Sequence, residues 1–572
     1  MTNYKPIIKD FPFNKETPEN IAKDGFYVDW PVVYLINNDD SIYIGETYHS
    51  PTRMKQHLAN PEKKDLKELH IIASDDFTKS STLDIESSLI DLFYADKEVN
   101  HNKYNPLNKN AGLVNHNYHD KNEFRQDSNF FLAMWNELQK RGLVKGNAID
   151  LKNSDLFKYS PYKALNAEQC VVRDGLLEDI KNNLSNNESH HYFVDGSAGT
   201  GKTILALYLL RLLTYSDPKS LLIDYDDDLG SVIPEYVQNL IKIKQLKPDL
   251  KVGYVVAMES LRRTLKNVCK SIDGLKANMI IGPGEVINEK YDVLIVDEAH
   301  RLKQRINLDS PFAYKAYDDN NKKLGLDADG NQLDWVISSS QIQIFFYDSE
   351  QSIKPTDISE EKFRSLMNAH GQPDYELSSQ MRCLAGNDYI KYVKEVLREK
   401  DPERIEFNNQ YVAKLVDTFD EFLNIIKEKE NRYHLSRIVA GYGYEWISKT
   451  DKEKYDIVIE GHKLQWNVLD KSWPLSISGD RVTEEVGCVH TIQGYDLNYC
   501  GVIFGPEITY RNGHIVIDRS KYYDTKGKSG IDNEKLKEYI LNIYAVLMTR
   551  GIHGTYIYVT DEELRNYLKK YF

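Results

Sequence analysis

The sequence predicts an α/β protein: a small α+β domain followed by two tandem lobes built on parallel sheets. Three observations lead there. From about residue 166 short apolar strands alternate with amphipathic helices, the pattern of a parallel sheet covered by helices on both faces. One of those strands runs through a glycine-rich loop straight into a helix. Ahead of them, Val32-Val-Tyr34-Leu-Ile and Tyr43-Ile-Gly45 read as two strands joined by the turn Asn37-Asn-Asp-Asp40.

The chain has 572 residues, too many for one core, and length alone suggests about three or four domain-sized units. The pattern divides at 1–120, a small mixed unit; 121–165, a polar connector with one amphipathic helix near Phe130–Gln139; 166–365, a first lobe; and 366–572, a second lobe. First-lobe strands are expected at Tyr192–Val194, Leu221–Ile223, Val252–Val256, Val293–Val296 and Ile342–Phe346. Second-lobe strands are expected at Arg437–Ala440, Gly501–Phe504 and Tyr556–Val559. Thr560-Asp-Glu-Glu563 reads as a capping box that starts the last helix.

Composition narrows the class. Charged residues make up 28% and hydrophobic residues 41%, as in an ordinary soluble protein. No run approaches the roughly 18–20 apolar residues of a membrane helix, and the amino end has no signal-peptide core. Five separated cysteines, with no C-x-x-C pair, argue against a zinc site and a disulfide framework, so a reduced cytoplasm is expected. The net charge of -14 counts mildly against nucleic acid, although a local basic groove matters more than the total.

The strand His191–Asp195 leads into Gly196, Ser197, Ala198, Gly199, Thr200 and Gly201, then Lys202 and Thr203 open a helix. Strand, loop and helix are the context a phosphate-binding P-loop requires. Loop amides and the helix N-terminus present partial positive charge to phosphate oxygens. Lys202 is expected at the β- and γ-phosphates of ATP, and the Thr203 hydroxyl on Mg²⁺. The strand Tyr291–Val296 delivers Asp297 and Glu298 at its carboxyl end, Asp297 to hold Mg²⁺ through water and Glu298 to orient the attacking water.

Around this pair the chain resembles superfamily 1 helicases, with RecA-like lobes. Gln169, in Asn166-Ala-Glu-Gln169, resembles their adenine-reading glutamine. Gln351, closing Phe346-Tyr-Asp-Ser-Glu-Gln351, matches the glutamine that senses the γ-phosphate. Leu377-Ser-Ser-Gln-Met-Arg382 and Tyr544-Ala-Val-Leu-Met-Thr-Arg550 match the segments whose arginines reach the transferring phosphate, so Arg382 and Arg550 take that expectation. His490-Thr-Ile-Gln-Gly494-Tyr-Asp496 matches a further motif, carrying Gly494 and Asp496. The run Asp297-Glu-Ala-His-Arg-Leu302 and the pair Arg382-Cys383 resemble a bacterial group related to the helicase-like domain of Schlafen proteins. The resemblance implies ATP hydrolysis; the short spacing between the third and fourth motifs makes it a better guide to ATPase activity than to unwinding.

The amino-terminal residues resemble GIY-YIG nucleases. Tyr34 and Tyr43-Ile-Gly45 stand as the paired motif, with Val32 where glycine is usual. Arg53 and His57 fall at i and i+4 on one helix face, and Glu86 and Asn108 stand where the family carries its metal-binding glutamate and an asparagine. The resemblance implies phosphodiester hydrolysis with one divalent ion, Mg²⁺ or Mn²⁺, held by Glu86. Tyr34 would help deprotonate water, with His57 as an alternative base, while Arg53 and Tyr43 position the phosphate.

Arg262, Lys266 and Lys270 form one basic stripe, and Arg511–Ile517 reads as a hairpin followed by Lys521, Lys526 and Lys528; either is a candidate for phosphate contacts. Asp327-Ala-Asp-Gly-Asn331 does not fit a calcium loop, because its glycine is misplaced. The acidic run Asp224–Asp228 reads as a solvated strand end. Together these features predict an ATP-dependent nuclease acting on nucleic acid, DNA before RNA, with a role in defence against phage or foreign DNA. Two alternatives stay open: a nucleotide-gated sensor carrying an inactive nuclease-like module, and an RNA-directed Schlafen-like enzyme.

Overall fold

The structure, a computed structural model, describes residues 5–108, 128–163, 165–223, 233–272, 274–306, 308, 310–348, 356–367, 372–380, 383–407, 411–468, 473–492 and 495–572. Gln351, Arg382, Gly494 and the acidic run 224–228 lie outside the described residues. The chain forms two compact units. One comprises Met1–Leu184, Leu207–Asp249 and Asn267–Ala277; the other Ser185–Ala206, Leu250–Lys266 and Asn278–Phe572.

The first unit holds a five-stranded sheet of β1 (Ile7–Pro12), β2 (Asp29–Asn37), β3 (Ser41–His49), β4 (Glu68–Ala73) and β5 (Asn105–Pro106), in the order β1-β4-β2-β3-β5. The β2–β3 turn is tight because the Asn38 side chain accepts from the amides of Asp40 and Ser41. Register sets Tyr34 opposite Gly45 and Ile36 opposite Tyr43. Val32, Tyr34 and Ile36 therefore share one buried face with Met54, Leu69 and Ile71. Val32 is fully buried in extended strand opposite Thr47, a position that takes a side chain readily.

The helix Lys79–Asn100 starts at a capping box of Thr78 and Ser81. Its Asp96 accepts from the backbone amides of Lys145 and Gly146, and its Asp91 from Ser160 Oγ. Tyr94 on the same helix stacks on Tyr162 at 4.0 Å, and the Arg211 guanidinium lies over that ring while donating to the Pro161 carbonyl. The connector is thus docked onto the helix, and its own helix Asn129–Lys140 buries Trp135 against Phe93.

The second unit holds two parallel sheets. The first contains β6 (His190–Gly196), β7 (Val252–Val256), β8 (Ile280–Ile281), β9 (Tyr291–Asp297), β10 (Ser340–Tyr347) and β11 (Tyr375–Leu377), in the order β11-β6-β10-β9-β7-β8. Strand β10 separates β6 from β9, so the carboxyl ends of all three converge. Phe193, Leu294, Val296 and Phe345 lie in the apolar core of this sheet. The second sheet contains β12 (Val412–Leu415), β13 (Ser436–Ala440), β14 (Ile457–Ile459), β15 (His462–Trp466), β16 (Glu485–Gly487), β17 (Leu497–Phe504) and β20 (Gly551–Val559), in the order β12-β20-β17-β13-β16-β15-β14. Its pairings are parallel except for the β14–β15 hairpin. A two-stranded ribbon, β18 (Ile508–Arg511) and β19 (His514–Ile517), follows β17.

Two local expectations are corrected. Leu221–Ile223 belongs to a 3₁₀ turn, Pro218–Ile223, not to a strand: Asp217 accepts from the amides of Lys219 and Ser220 and winds the chain there. The last helix, Glu562–Leu568, is capped by Asp561, whose carboxylate accepts from Leu564 N, while Thr560 donates to the Phe504 carbonyl.

Candidate nucleotide site and candidate nuclease centre

In the second unit, the chain between β6 and the helix Lys202–Thr214 turns through Gly199 and Gly201, at φ of 91° and 82°. Only glycine adopts that backbone without strain. Thr200 is fixed over the loop by a hydrogen bond from its hydroxyl to the Ser197 carbonyl. A side chain at Gly196 would collide with Thr200 Oγ1. Lys202 is buried; its ammonium donates to the carbonyls of Gly196 and Ser197 and lies 3.5 Å from Asp348. Asp348 gets there by register: Tyr347 pairs with Asp195, so the next residue emerges beside the start of the loop.

Asp297, at the end of β9, is fully buried. Its Oδ2 accepts from Thr203 Oγ1 and Tyr254 Oη, each at 2.8 Å. Burial, with the Glu298 charge, lifts this carboxyl to about 6 against the pull of Thr203, Tyr254 and Lys202. Glu298 sits in the left-handed region at φ 51° and donates its amide to Asp297 Oδ1. Burial pushes its carboxyl up, but His300, Lys202 and Arg301 outweigh burial and hold it well below the usual carboxylate range. His300 Nε2 lies 3.0 Å from Glu298 Oε2. A carboxylate held that low orients a water by accepting its hydrogen bond more readily than it takes its proton.

The hard oxygens of Thr203 and Asp297, 2.8 Å apart, fit Mg²⁺. Among the described residues no three His, Cys, Asp or Glu side chains gather as a metal site.

Gln380, preceding Arg382 in its motif, donates to the Ala198 carbonyl at 2.7 Å and so holds the loop from the β11 side. Arg550 is buried after the helix Asn533–Met548, in electrostatic reach of Cys500. Asp496 is half-buried just before β17. In the first unit, Gln169 forms a reciprocal cap with Asn166: each side-chain oxygen accepts the other's backbone amide at the start of the helix Ala167–Asn186.

The first unit gathers most of the predicted nuclease residues. Tyr34 Oη lies 2.6 Å from His57 Nε2 and 3.4 Å from Arg53 Nε. The Tyr43 ring stands 6.3 Å from that of Tyr34 and 5.0 Å from that of His57. The helix Ser50–Ala59 puts Arg53 and His57 on the same face. Glu86 and Glu46 are both within electrostatic reach of the Tyr34 phenol. Burial pushes that phenol up, and Arg53 pulls part of the shift back. Burial, then Lys63 and Arg53, lower His57 to about 2, so the ring stays neutral.

Asn108 is placed differently from a reacting group. Its amide clamps the β3 backbone at Ile44, donating to the carbonyl at 2.7 Å and accepting from the amide at 3.1 Å. Two residues of this cluster were not singled out in the sequence. Glu46, next to Gly45, pairs with Lys79 and accepts from Thr82 Oγ1. Lys63 lies 3.0 Å from His57 Nδ1 and 3.3 Å from the Tyr43 ring centroid.

The basic candidates change character. Arg262 turns its guanidinium to the Val256 carbonyl instead of completing a stripe with Lys266 and Lys270. Arg511 is paired with Asp561 at 2.6 Å, and Lys528 donates to the carbonyls of Arg519 and Tyr522. Asn331 caps the helix Gln332–Ser339, which accounts for the Asp-Ala-Asp-Gly-Asn run ahead of it.

Residues 189–561 match the family model for the Schlafen group 3 DNA/RNA helicase domain. The uncharacterized protein YPL245W of Saccharomyces cerevisiae is 26% identical over 446 residues, covering 71% of this chain and 90% of that protein. Among solved structures, Mss116p bound to ssRNA and AMP-PNP aligns at a TM-score of 0.28 and 14% identity, covering 68% of this chain and 70% of that one. The Pif1 helicase of Candida albicans aligns at 0.24 and 11%, covering 70% and 96%. The family match spans both parallel sheets, the glycine-rich loop and Asp297-Glu298. The chain belongs to the Schlafen group 3 DNA/RNA helicase domain family.

Proposed function

We propose that this nucleic-acid-processing ATPase is coupled to a metal-dependent endonuclease carried by its first unit. One observation supports the nuclease most directly: Tyr34, Arg53 and His57 meet at a single phenol oxygen, with Tyr43 alongside. Hydrolysis of ATP would use Lys202 on the β- and γ-phosphates, Thr203 and Asp297 as the oxygens that hold Mg²⁺, and Glu298 to orient water. Gln351, Arg382, Arg550, Gly494 and Asp496 are proposed to complete the response to the γ-phosphate. In the first unit Glu86 would hold Mg²⁺ or Mn²⁺, which polarises the scissile phosphate. Tyr34, once it has lost its own proton to solvent, would help deprotonate water as the phenolate, and Arg53 and Tyr43 would steady the phosphate. The proposed substrate is DNA, the compartment the cytoplasm, and the role defence against phage or foreign nucleic acid.

The test is plasmid cleavage with Mg²⁺, wild type against Glu86→Ala. Equal cutting by both removes the nuclease. ATP hydrolysis measured alone, with single-stranded DNA, with duplex DNA and with RNA assigns the substrate class; stimulation by RNA but not DNA replaces DNA with RNA. A second reading, a nucleotide-gated sensor with a non-cutting module, draws support from burial: Tyr34 is only 1% exposed and His57 3%. Under it, Glu86→Ala leaves function intact while Lys202→Ala abolishes it.

A further inference from the structure

We propose that Lys63 is a positioning residue that fixes the tautomer of His57, so that His57 serves Tyr34 as a hydrogen-bond donor and cannot act as a base. The inference rests on the nuclease reading for its consequence, but not for its geometry.

The helix Ser50–Ala59 ends at Asn60, whose side chain accepts from Glu62 N and starts the 3₁₀ turn Pro61–Lys63. That turn folds the chain back and buries Lys63. Its ammonium meets His57 Nδ1 at 3.0 Å and the Tyr43 ring face at 3.3 Å, the place a cation prefers on an aromatic ring. A lysine ammonium has three donors and no acceptor. The nitrogen facing it must therefore present a lone pair. A neutral imidazole with its lone pair on Nδ1 carries its hydrogen on Nε2, and Nε2 lies 2.6 Å from Tyr34 Oη. His57 consequently donates to Tyr34, and Arg53 Nε–H, 3.4 Å away, is a second and longer donor to the same oxygen.

Both nitrogens of His57 are then committed, one to Lys63 and one to Tyr34. A water bound nearby finds no lone pair on the ring. Of Tyr34 and His57, only the phenol oxygen can receive a proton, and only after it has given up its own; Arg53 offsets part of the burial that opposes this ionisation. Among the described residues, the groups that meet the ring or bear on its charge are Lys63 from the turn, Arg53 from its own helix, Tyr34 from β2 and Tyr43 from β3. Glu46 and Glu86 bear on the Tyr34 phenol beside it.

The experiment is nitrogen-detected NMR of the full chain with labelled histidine, with the His57 signals identified by their loss in His57→Gln. In wild type, His57 is expected to be neutral, with hydrogen on Nε2, between about pH 5 and 8. In Lys63→Met the ring is expected to populate the Nδ1–H tautomer and to titrate nearer the ordinary value of about 6.5. Lys63→Arg, which keeps a donor, should restore the wild-type tautomer. In plasmid cleavage, Lys63→Met should gain an acid limb in its pH profile that wild type lacks. A wild-type ring protonated on Nδ1, or charged within that pH range, overturns the inference. So does a Lys63→Met spectrum identical to wild type. Should Lys63→Met fail to fold, the wild-type spectrum alone decides. The NMR readout needs no cleavage, so loss of the nuclease reading through Glu86→Ala remains a separate result.

Discussion

The Lys202 ammonium lies 3.5 Å from a carboxylate oxygen of Asp348, and both side chains are buried. A phosphate approaching Lys202 must take over from that carboxylate. Lys202→Ala is expected to lower ATP hydrolysis by at least about 100-fold, as loss of a buried charge-stabilising donor does. Asp348→Asn removes the carboxylate nearest the ammonium until nucleotide arrives, so ATP should bind about tenfold tighter while the nucleotide-free protein melts earlier. Equilibrium binding and a melting curve, each with and without ATP, check both arms.

Asp297 yields a pH dependence. Its carboxyl is lifted to about 6 by burial, above the ordinary 3.8 that the unfolded chain recovers. Folded protein therefore keeps this proton while unfolded protein has lost it, and the contribution to stability declines as pH rises from about 4 through 6. Mg²⁺ needs the ionised form. The kcat/KM for ATP, which reports the free protein, should thus climb with pH through about 6 and level off above it, while the rate at saturating ATP and Mg²⁺ stays flatter because a bound cation lowers the carboxyl. A kcat/KM flat from about pH 5 to 7 contradicts the assignment of Asp297 to the metal.

Gln380 holds the loop through the Ala198 carbonyl. A neutral hydrogen bond of this kind contributes about 1 kcal/mol. Gln380→Ala is expected to raise the KM for ATP about fivefold and to change kcat less, which steady-state phosphate release resolves.

Gly45 faces Tyr34 so closely that an added Cβ would stand 2.3 Å from the phenol oxygen. Gly45→Ala must push the ring away from His57. Overpacking of this size costs about 1–3 kcal/mol, and plasmid cleavage should fall with it. Cleavage unchanged in a folded Gly45→Ala protein would mean that the Tyr34–His57 contact has no part in the reaction.

What could be read from the sequence follows from how local each signal is. The glycine-rich loop was legible because Gly199 and Gly201 carry a backbone requirement that no neighbour can relax. Strands β6, β7, β9 and β10 were legible because central parallel strands are buried on both faces and read as unbroken apolar runs. Leu221–Ile223 is equally apolar, yet Asp217-Pro218 ahead of it starts a tight turn, and an apolar triplet cannot distinguish the two. Lys63, Asp348 and Gln380 were missed for another reason. Their partners are chosen by a fold-back turn or by strand register across long separations in sequence. Asn166 and Gln169 carried two meanings at once, and the one visible in the structure is a helix cap.

The helix Lys202–Thr214 begins in one compact unit and ends in the other, the border falling between Ala206 and Leu207. The chain returns again within 249–278. The unit that carries Tyr34 and His57 is therefore assembled from three separate stretches of the chain. Removing residues 1–184 would take away one stretch of that unit and leave the later part of that helix, with the segments Leu207–Asp249 and Asn267–Ala277, without the rest of it.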